Sequence, residues 1–424
     1  MFRTLAKAWK KQDIRHKMIF TLLMMIVYRL GANIPVPGIN REVLSKLFDG
    51  GGGIFELFNL FSGGAFSQMT IFALSITPYI TASIILQLLT IAIPKLETLA
   101  KEGGEGQKKI AQYTRYLTVV LSLVQAIGIT YGIVKPSLND TGKLSIALVV
   151  VVLTAGTAFL MWLGEQINQY GIGNGISLLI FAGIIARMPT LLQGSMVKYE
   201  AGEVDAVSIA LFVLFAVVII VGIIMIQEGQ RRVPVQYAKR VVGRKMYGGQ
   251  SSHIPMKVNQ AGVIPVIFSM AFLQTPLTFM HFWPNSAFGQ WVAKWMSPSG
   301  SPGVWVYAIA DVLLILFFTY FYTAVSFNPL EIAQNMKANG GFVPGIRPGK
   351  TTVEYLNRVM TRITFVGAVF LAAISILPTI LSQSMGLSIH FGGTSLLIAV
   401  GVALDTMKQI ENQMLMRDYQ GFLR

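Results

Sequence analysis

The sequence contains no cysteine, and of its 424 residues only 19 are acidic and 4 are histidine. Without thiols there is no disulfide and no thiolate metal site. His16, His253, His281 and His390 are scattered along the chain. They form no paired-histidine motif, and neither a P-loop nor a nucleophile elbow is present. An enzyme, a resident metal and a cofactor are therefore not expected. Charge is scarce as well: 12% of residues carry it, about half the share in soluble domains. Thr70–Ile93 and Val207–Ile226 contain no Asp, Glu, Lys or Arg at all. Each is long enough to cross a bilayer as a helix, which takes about 20 residues. The period-two alternation of a membrane barrel is not visible.

What is present is a series of apolar runs. Ten spans are predicted: Met18–Asn33, Thr70–Ile93, Tyr116–Val134, Leu144–Gly164, Ile172–Leu192, Val207–Ile226, Ala261–Phe282, Val304–Asn328, Ile363–Leu381 and Thr394–Met414. No small-residue cleavage site follows the first, so it reads as a retained span. The net charge of +15 is sorted by position. Most basic residues fall in the N-terminus, the second-to-third, sixth-to-seventh and eighth-to-ninth loops, and the C-terminal tail. That bias places both termini in the cytoplasm. The long basic loops 228–259 and 331–360 are either solvated topology signals or a landing platform for a large partner.

The spans divide five and five, at residues 1–204 and 205–424. An odd number per half makes the second half enter from the opposite side, an inverted arrangement common where solutes pass between two halves. The expected fold is thus an all-α polytopic membrane protein of ten transmembrane helices in two inverted five-helix halves. Ionisable groups are almost absent from the spans: Asp311 lies near the outer end of the eighth and Glu165 at the cytoplasmic end of the fourth. Ion-coupled transporters need such groups at mid-depth. A secondary transporter is therefore disfavoured, and a non-conducting insertase or scaffold is the other competing reading.

Between the first two spans, a glycine run at 50–53 leads into a short apolar segment, 54–66. It is too short to span. It lies flat at the interface, or it folds back into a protein-lined cavity as a re-entrant plug helix.

These residues carry a specific resemblance. Glu56–Gly64 (ELFNLFSGG) followed by Ile71–Ile85, then Gln112–Tyr116, Gly171–Ser177, Val235–Arg240, Lys257–Pro265, Gly345–Gly349 and Gly392–Ile398 resemble, in order, signatures of the SecY family in its bacterial form. The resemblance implies a channel in the bacterial plasma (inner) membrane. Unfolded secretory polypeptide would cross through it, and signal sequences and membrane-protein helices would leave laterally into lipid. It also implies partnership with the small subunits SecE and SecG, and with the motor SecA, which would hydrolyse the ATP, or a translating ribosome.

Carried over by motif, the resemblance places a pore ring on Ile76, Ile80, Ile180, Ile184, Ile267 and Ile398. The plug falls on Ile54, Phe55, Leu57, Phe58, Leu60, Phe61, Gly63 and Gly64. The pairs 76/80 and 180/184 are i, i+4 neighbours on one helix face, and isoleucine is stiff at χ1. A lateral seam is expected between spans two and three on one side and seven and eight on the other. Thr81, Gln87, Gln125 and Gln274 are its polar candidates, with ordinary helix packing as the other reading. Docking is expected at Arg347, which the resemblance makes the loop-tip arginine. Arg231, Arg232, Lys239, Arg240, Arg244 and Lys245 form a second basic patch. On a ribosome these cations would meet RNA phosphate; on SecA they would meet carboxylates.

Overall fold

The computed structural model describes residues 2–40, 43–44, 59, 62–140, 142–202, 205–237, 240–242, 245–247, 251–280, 286–296, 303–385 and 393–422. Helices dominate: α1 Phe2–Lys10, α2 Gln12–Gly31, α3 Thr77–Ala92, α4 Pro94–Lys101, α5 Gly104–Ile129, α6 Lys143–Tyr170, α7 Gly175–Glu200, α8 Ala206–Glu228, α9 Ile264–Met280, α10 Ala287–Trp295, α11 Gly303–Ser326, α12 Pro329–Ala338, α13 Lys350–Met385 and α14 Gly393–Phe422. Each predicted span falls on one of them. Among the described residues, five helices are long and apolar enough to cross a membrane, or six if the bent pair α3–α4 counts as one.

The helices form because nothing else satisfies the backbone in hydrocarbon. Their side chains follow suit. On α8, Val213, Leu214, Val217, Val218 and Val221 are all exposed, as in a helix solvated by lipid. Breaks occur where the sequence removes a donor or demands an unusual angle. Pro94 opens α4 after a bend of 101° from α3, since a proline at a first turn costs no hydrogen bond.

The second span departs from expectation. It is not helical from Thr70. Residues 63–69 and 71–76 form successive turns, with Met69 at φ 45° and Ser75 at φ 53°, and α3 begins only at Thr77, with Pro78 in its first turn. Charge-free composition marked this stretch as membrane-buried; it could not report the left-handed turns that interrupt it.

The basic loops also hold more structure than expected. β1 (Gln230–Tyr237), β4 (Ser251–Lys257) and β5 (Gly341–Phe342) form a sheet of order β4-β1-β5, and β2 (Arg240–Val242) pairs with β3 (Lys245–Tyr247). Val233 and Val235 alternate inward on β1. They share a core with Met256, Val343 and Leu356, so the two loops are one body rather than two solvated tethers. The 36 residues of α13, about 54 Å at 1.5 Å each, run from this body into the helical bundle.

Within the bundle, α2, α3, α5, α6 and α7 pack together, as do α8, α9, α11, α13 and α14. The two groups meet along two lines. On one, α9 packs against α3 and α5; on the other, α14 packs against α7, where the Gly173 N–H donates to Gln409 Oε1 at 2.9 Å.

Candidate functional site

The six isoleucines singled out in the sequence come from four separate places in the chain. Ile76 caps α3 and Ile80 lies in its first turn; the Ile80 N–H donates to the Ile76 carbonyl at 3.1 Å. The pair thus stays one turn apart although the helix starts late. Ile180 and Ile184 lie on α7, Ile267 on α9 and Ile398 on α14. All six belong to one buried hydrophobic cluster, none more than 7% exposed and Ile398 wholly enclosed. An isoleucine on an isolated membrane helix faces lipid or a neighbour with equal ease. Here two helices from each group turn these side chains to a common interior. No charge joins them: Asp311 is the one carboxylate among the buried described residues.

Asp311 is a residue whose role sequence reasoning missed. By sequence it lies near the outer end of the eighth span. The structure instead buries it on α11, where Ser269 Oγ of α9 donates to it at 2.6 Å and Ser375 Oγ of α13 donates from the other side. These bonds tie three helices of one group together. Serines on distant spans gave no signal of it. The carboxylate is committed to these hydroxyls, so it does not make the open coordinating site that a coupled transporter requires.

Of the candidate plug, Ile54, Phe55, Leu57, Phe58, Leu60 and Phe61 lie outside the described residues. Its end is described. Gly63 has φ +63°, and a Cβ there would stand 2.7 Å from Gly183 Cα on α7, so only glycine permits this approach. Arg29 Nη1 donates to the Gly63 carbonyl at 3.5 Å and Tyr28 Oη to the Ser62 carbonyl at 3.4 Å. Gly64 follows at φ +90° with open space beside it. Ala65 enters the same cluster as the isoleucines. The segment's base is therefore held between α2 and α7, against the cluster that contains the six isoleucines.

The seam candidates divide. The side chain of Gln87 on α3 comes near the Tyr322 hydroxyl on α11, and Tyr322 in turn meets Phe268 of α9 edge-on, centroids 6.0 Å apart. Gln87 thus faces the other helix group across the α3–α9 line. Thr81 instead donates to the Thr77 carbonyl of its own helix at 3.1 Å. Gln274 is buried on α9, and Gln125 is half-buried on α5. Interhelical polar contacts in membranes are worth about 0.6–2 kcal/mol. Gln87→Leu and Tyr322→Phe should each weaken the seam by that order, and the double variant should lose no more than either alone. A double-mutant cycle on the resting ion leak measures this; fully additive losses would show that the two side chains are not energetically coupled.

The basic candidates gather on the loop body. Arg231 and Arg232 are exposed on β1, and Arg240 and Lys245 lie on the β2–β3 ribbon. Lys239 and Arg244 lie outside the described residues. Arg347 is exposed in the turn between β5 and α13, where its carbonyl accepts from Thr352 Oγ1 at 2.9 Å. The pairing Gln236↔Phe342 joins the two loops that carry these cations.

Comparison with known proteins identifies the family and the fold. The SecY family model matches residues 70–407. The protein translocase subunit SecY of Halalkalibacterium halodurans is 49% identical, and that of Bacillus subtilis 47%, each alignment covering 100% of both chains. Among solved structures, one described as a protein-conducting channel aligns with a TM-score of 0.66 at 19% identity, over 94% of this chain and 92% of that one. Sec61 in the canine ribosome-channel complex aligns with a TM-score of 0.62 at 17% identity and the same coverage. The likeness in fold thus extends to relatives whose sequences have diverged widely. The chain belongs to the SecY family: it is a polytopic, helical protein-translocation channel and not an enzyme.

Proposed function

We propose that the isoleucine collar is the constriction through which unfolded secretory polypeptide passes, and that the α3/α5–α9 line is the seam through which membrane-protein helices leave for lipid. The observation that carries this reading is the gathering of six isoleucines from four helices into one buried cluster. Branched, uncharged side chains offer water no hydrogen bonds. A narrow ring of them dewets and stops ions, yet yields to a chain driven through it. Without a charge ring it binds no particular sequence. The segment 54–66 acts as a plug against the collar and moves aside when the collar widens.

In this reading residues 1–204 and 205–424 form two halves that part at the α3/α5–α9 seam and hinge where α7 meets α14. The protein sits in the bacterial plasma membrane with both termini and the basic loop body in the cytoplasm. SecE and SecG complete the channel. SecA or the ribosome docks on Arg347 and the β1–β3 cations; the motor, not this chain, hydrolyses ATP. Gly345 at φ +80° and Gly349 at φ +107° bend the chain so that Arg347 projects from a tight turn.

Reconstituted in vesicles with SecE and SecA, the chain should protect a secretory precursor from added protease. Complete absence of protection with all partners present would contradict the proposal. Arg347→Glu should lower SecA-driven translocation about tenfold, as loss of a charge-assisted contact implies, while leaving the resting ion seal intact. A translocation rate equal to the parent's would remove Arg347 from the docking surface.

A further inference from the structure

One amphipathic element is absorbed by neither the collar nor the docking platform. Helix α10, Ala287–Trp295, joins two bundle helices, α9 and α11, and packs on both. It lies at the end of α9 away from β4, so it is on the face opposite the basic body. Val292, fully buried, shares a core with Leu277 of α9, and Tyr307 of α11 packs against that core. Gly289 is buried beside Val292. Yet Phe288, Trp291 and Trp295 are 48%, 54% and 37% exposed. At i, i+3 and i+7 they fall within about 60° of arc, given 100° per residue. Gln290 and Lys294 occupy the adjoining exposed flank, and the helix has no acidic residue. Lys294 Nζ lies 5.5 Å from the Trp295 ring centroid.

Three large aromatics on one exposed stripe are costly in water, and a helix tethered at both ends to membrane-crossing neighbours cannot withdraw from the bilayer boundary. Tryptophan with an adjoining lysine is the chemistry of the headgroup region, where an apolar ring body, an N–H donor and a cation are all satisfied. The exposed row Trp305, Ile309, Leu313 and Phe317 on α11, spaced four apart, is an apolar face of the kind lipid covers.

We infer that α10 is a membrane-interface anchor. Its aromatic stripe enters the headgroup and upper acyl region of the non-cytoplasmic leaflet, and its Lys294 flank meets lipid phosphate. Because α10 bridges α9 and α11, it fixes the level of that side of the seam relative to the bilayer. The inference rests on the membrane assignment and not on the collar.

The absence of native cysteine makes the test direct. Phe288→Cys, Trp291→Cys, Trp295→Cys and Gln290→Cys are each spin-labelled in the full complex in phospholipid bilayers, with retained translocation as the control for folding. Collision with oxygen, which concentrates in lipid, is compared with collision with a water-soluble nickel chelate. The oxygen-to-nickel ratio should be several-fold higher at 288, 291 and 295 than at 290. Equal, water-like ratios at all four positions would overturn the anchor. So would low access to both reagents at 288, 291 and 295, which would mean a protein partner covers the stripe.

Discussion

Ile398→Asn is expected to turn the resting channel into an ion leak, raising flux through vesicles by at least about tenfold, because a hydrophobic constriction blocks ions by excluding water. Ile398 is 0% exposed, on α14, among the other collar residues. An asparagine there would bury an amide with no partner, at a cost of about 2–7 kcal/mol. The cheapest relief is to admit water, and admitted water carries ions. Ile398→Val keeps the branched apolar character and should keep the seal. Ile80→Asn, on the opposite helix group, should leak likewise. Decay of an imposed membrane potential in proteoliposomes measures all three. A tight seal in both asparagine variants would mean that the collar is merely core packing.

The second large effect concerns the base of the plug segment. Gly63→Ala should destabilise the closed state and leak, whereas Gly64→Ala should do so far less. Both positions have positive φ, +63° and +90°. Each substitution therefore pays the left-handed penalty of about 1–2 kcal/mol. Only at 63 does the added carbon also collide, 2.7 Å from Gly183 Cα, while nothing lies within 4 Å of it at 64. Backbone cannot swing aside as a side chain can. The segment must therefore lift from α7, taking with it the contacts that Tyr28 and Arg29 make to Ser62 and Gly63. Equal leaks in the two variants would show that strain, and not the seat on α7, governs closure.

Much of this was legible in the sequence because membrane helices announce themselves one at a time. A charge-free run such as Val207–Ile226 needs no knowledge of its neighbours to be read as a span. The six isoleucines proposed as the collar were singled out only through the motifs around them, since an isoleucine in a membrane helix carries no signal of its own. What escaped notice depended on partners far along the chain. The pairing of Gln236 with Phe342 joins segments about a hundred residues apart through a strand of 2 residues, below any periodicity. Val233 and Val235 did alternate, but two residues set after Arg231 and Arg232 in a long basic loop are too few to signal a strand. Asp311 found Ser269 and Ser375 on other helices, and the turns at Met69 and Ser75 hid within an apolar stretch.

The account is tested most directly by asking what a polypeptide touches in transit. With Cys 0 in the native sequence, Ile80→Cys, Ile184→Cys, Ile267→Cys and Ile398→Cys can each be paired with a single cysteine in a stalled precursor. Disulfides should form at these collar positions and not at Leu214 or Val218, exposed on α8, when those carry the cysteine instead. Crosslinks at α8 with none at the collar would place the moving chain outside the bundle and contradict the conduit.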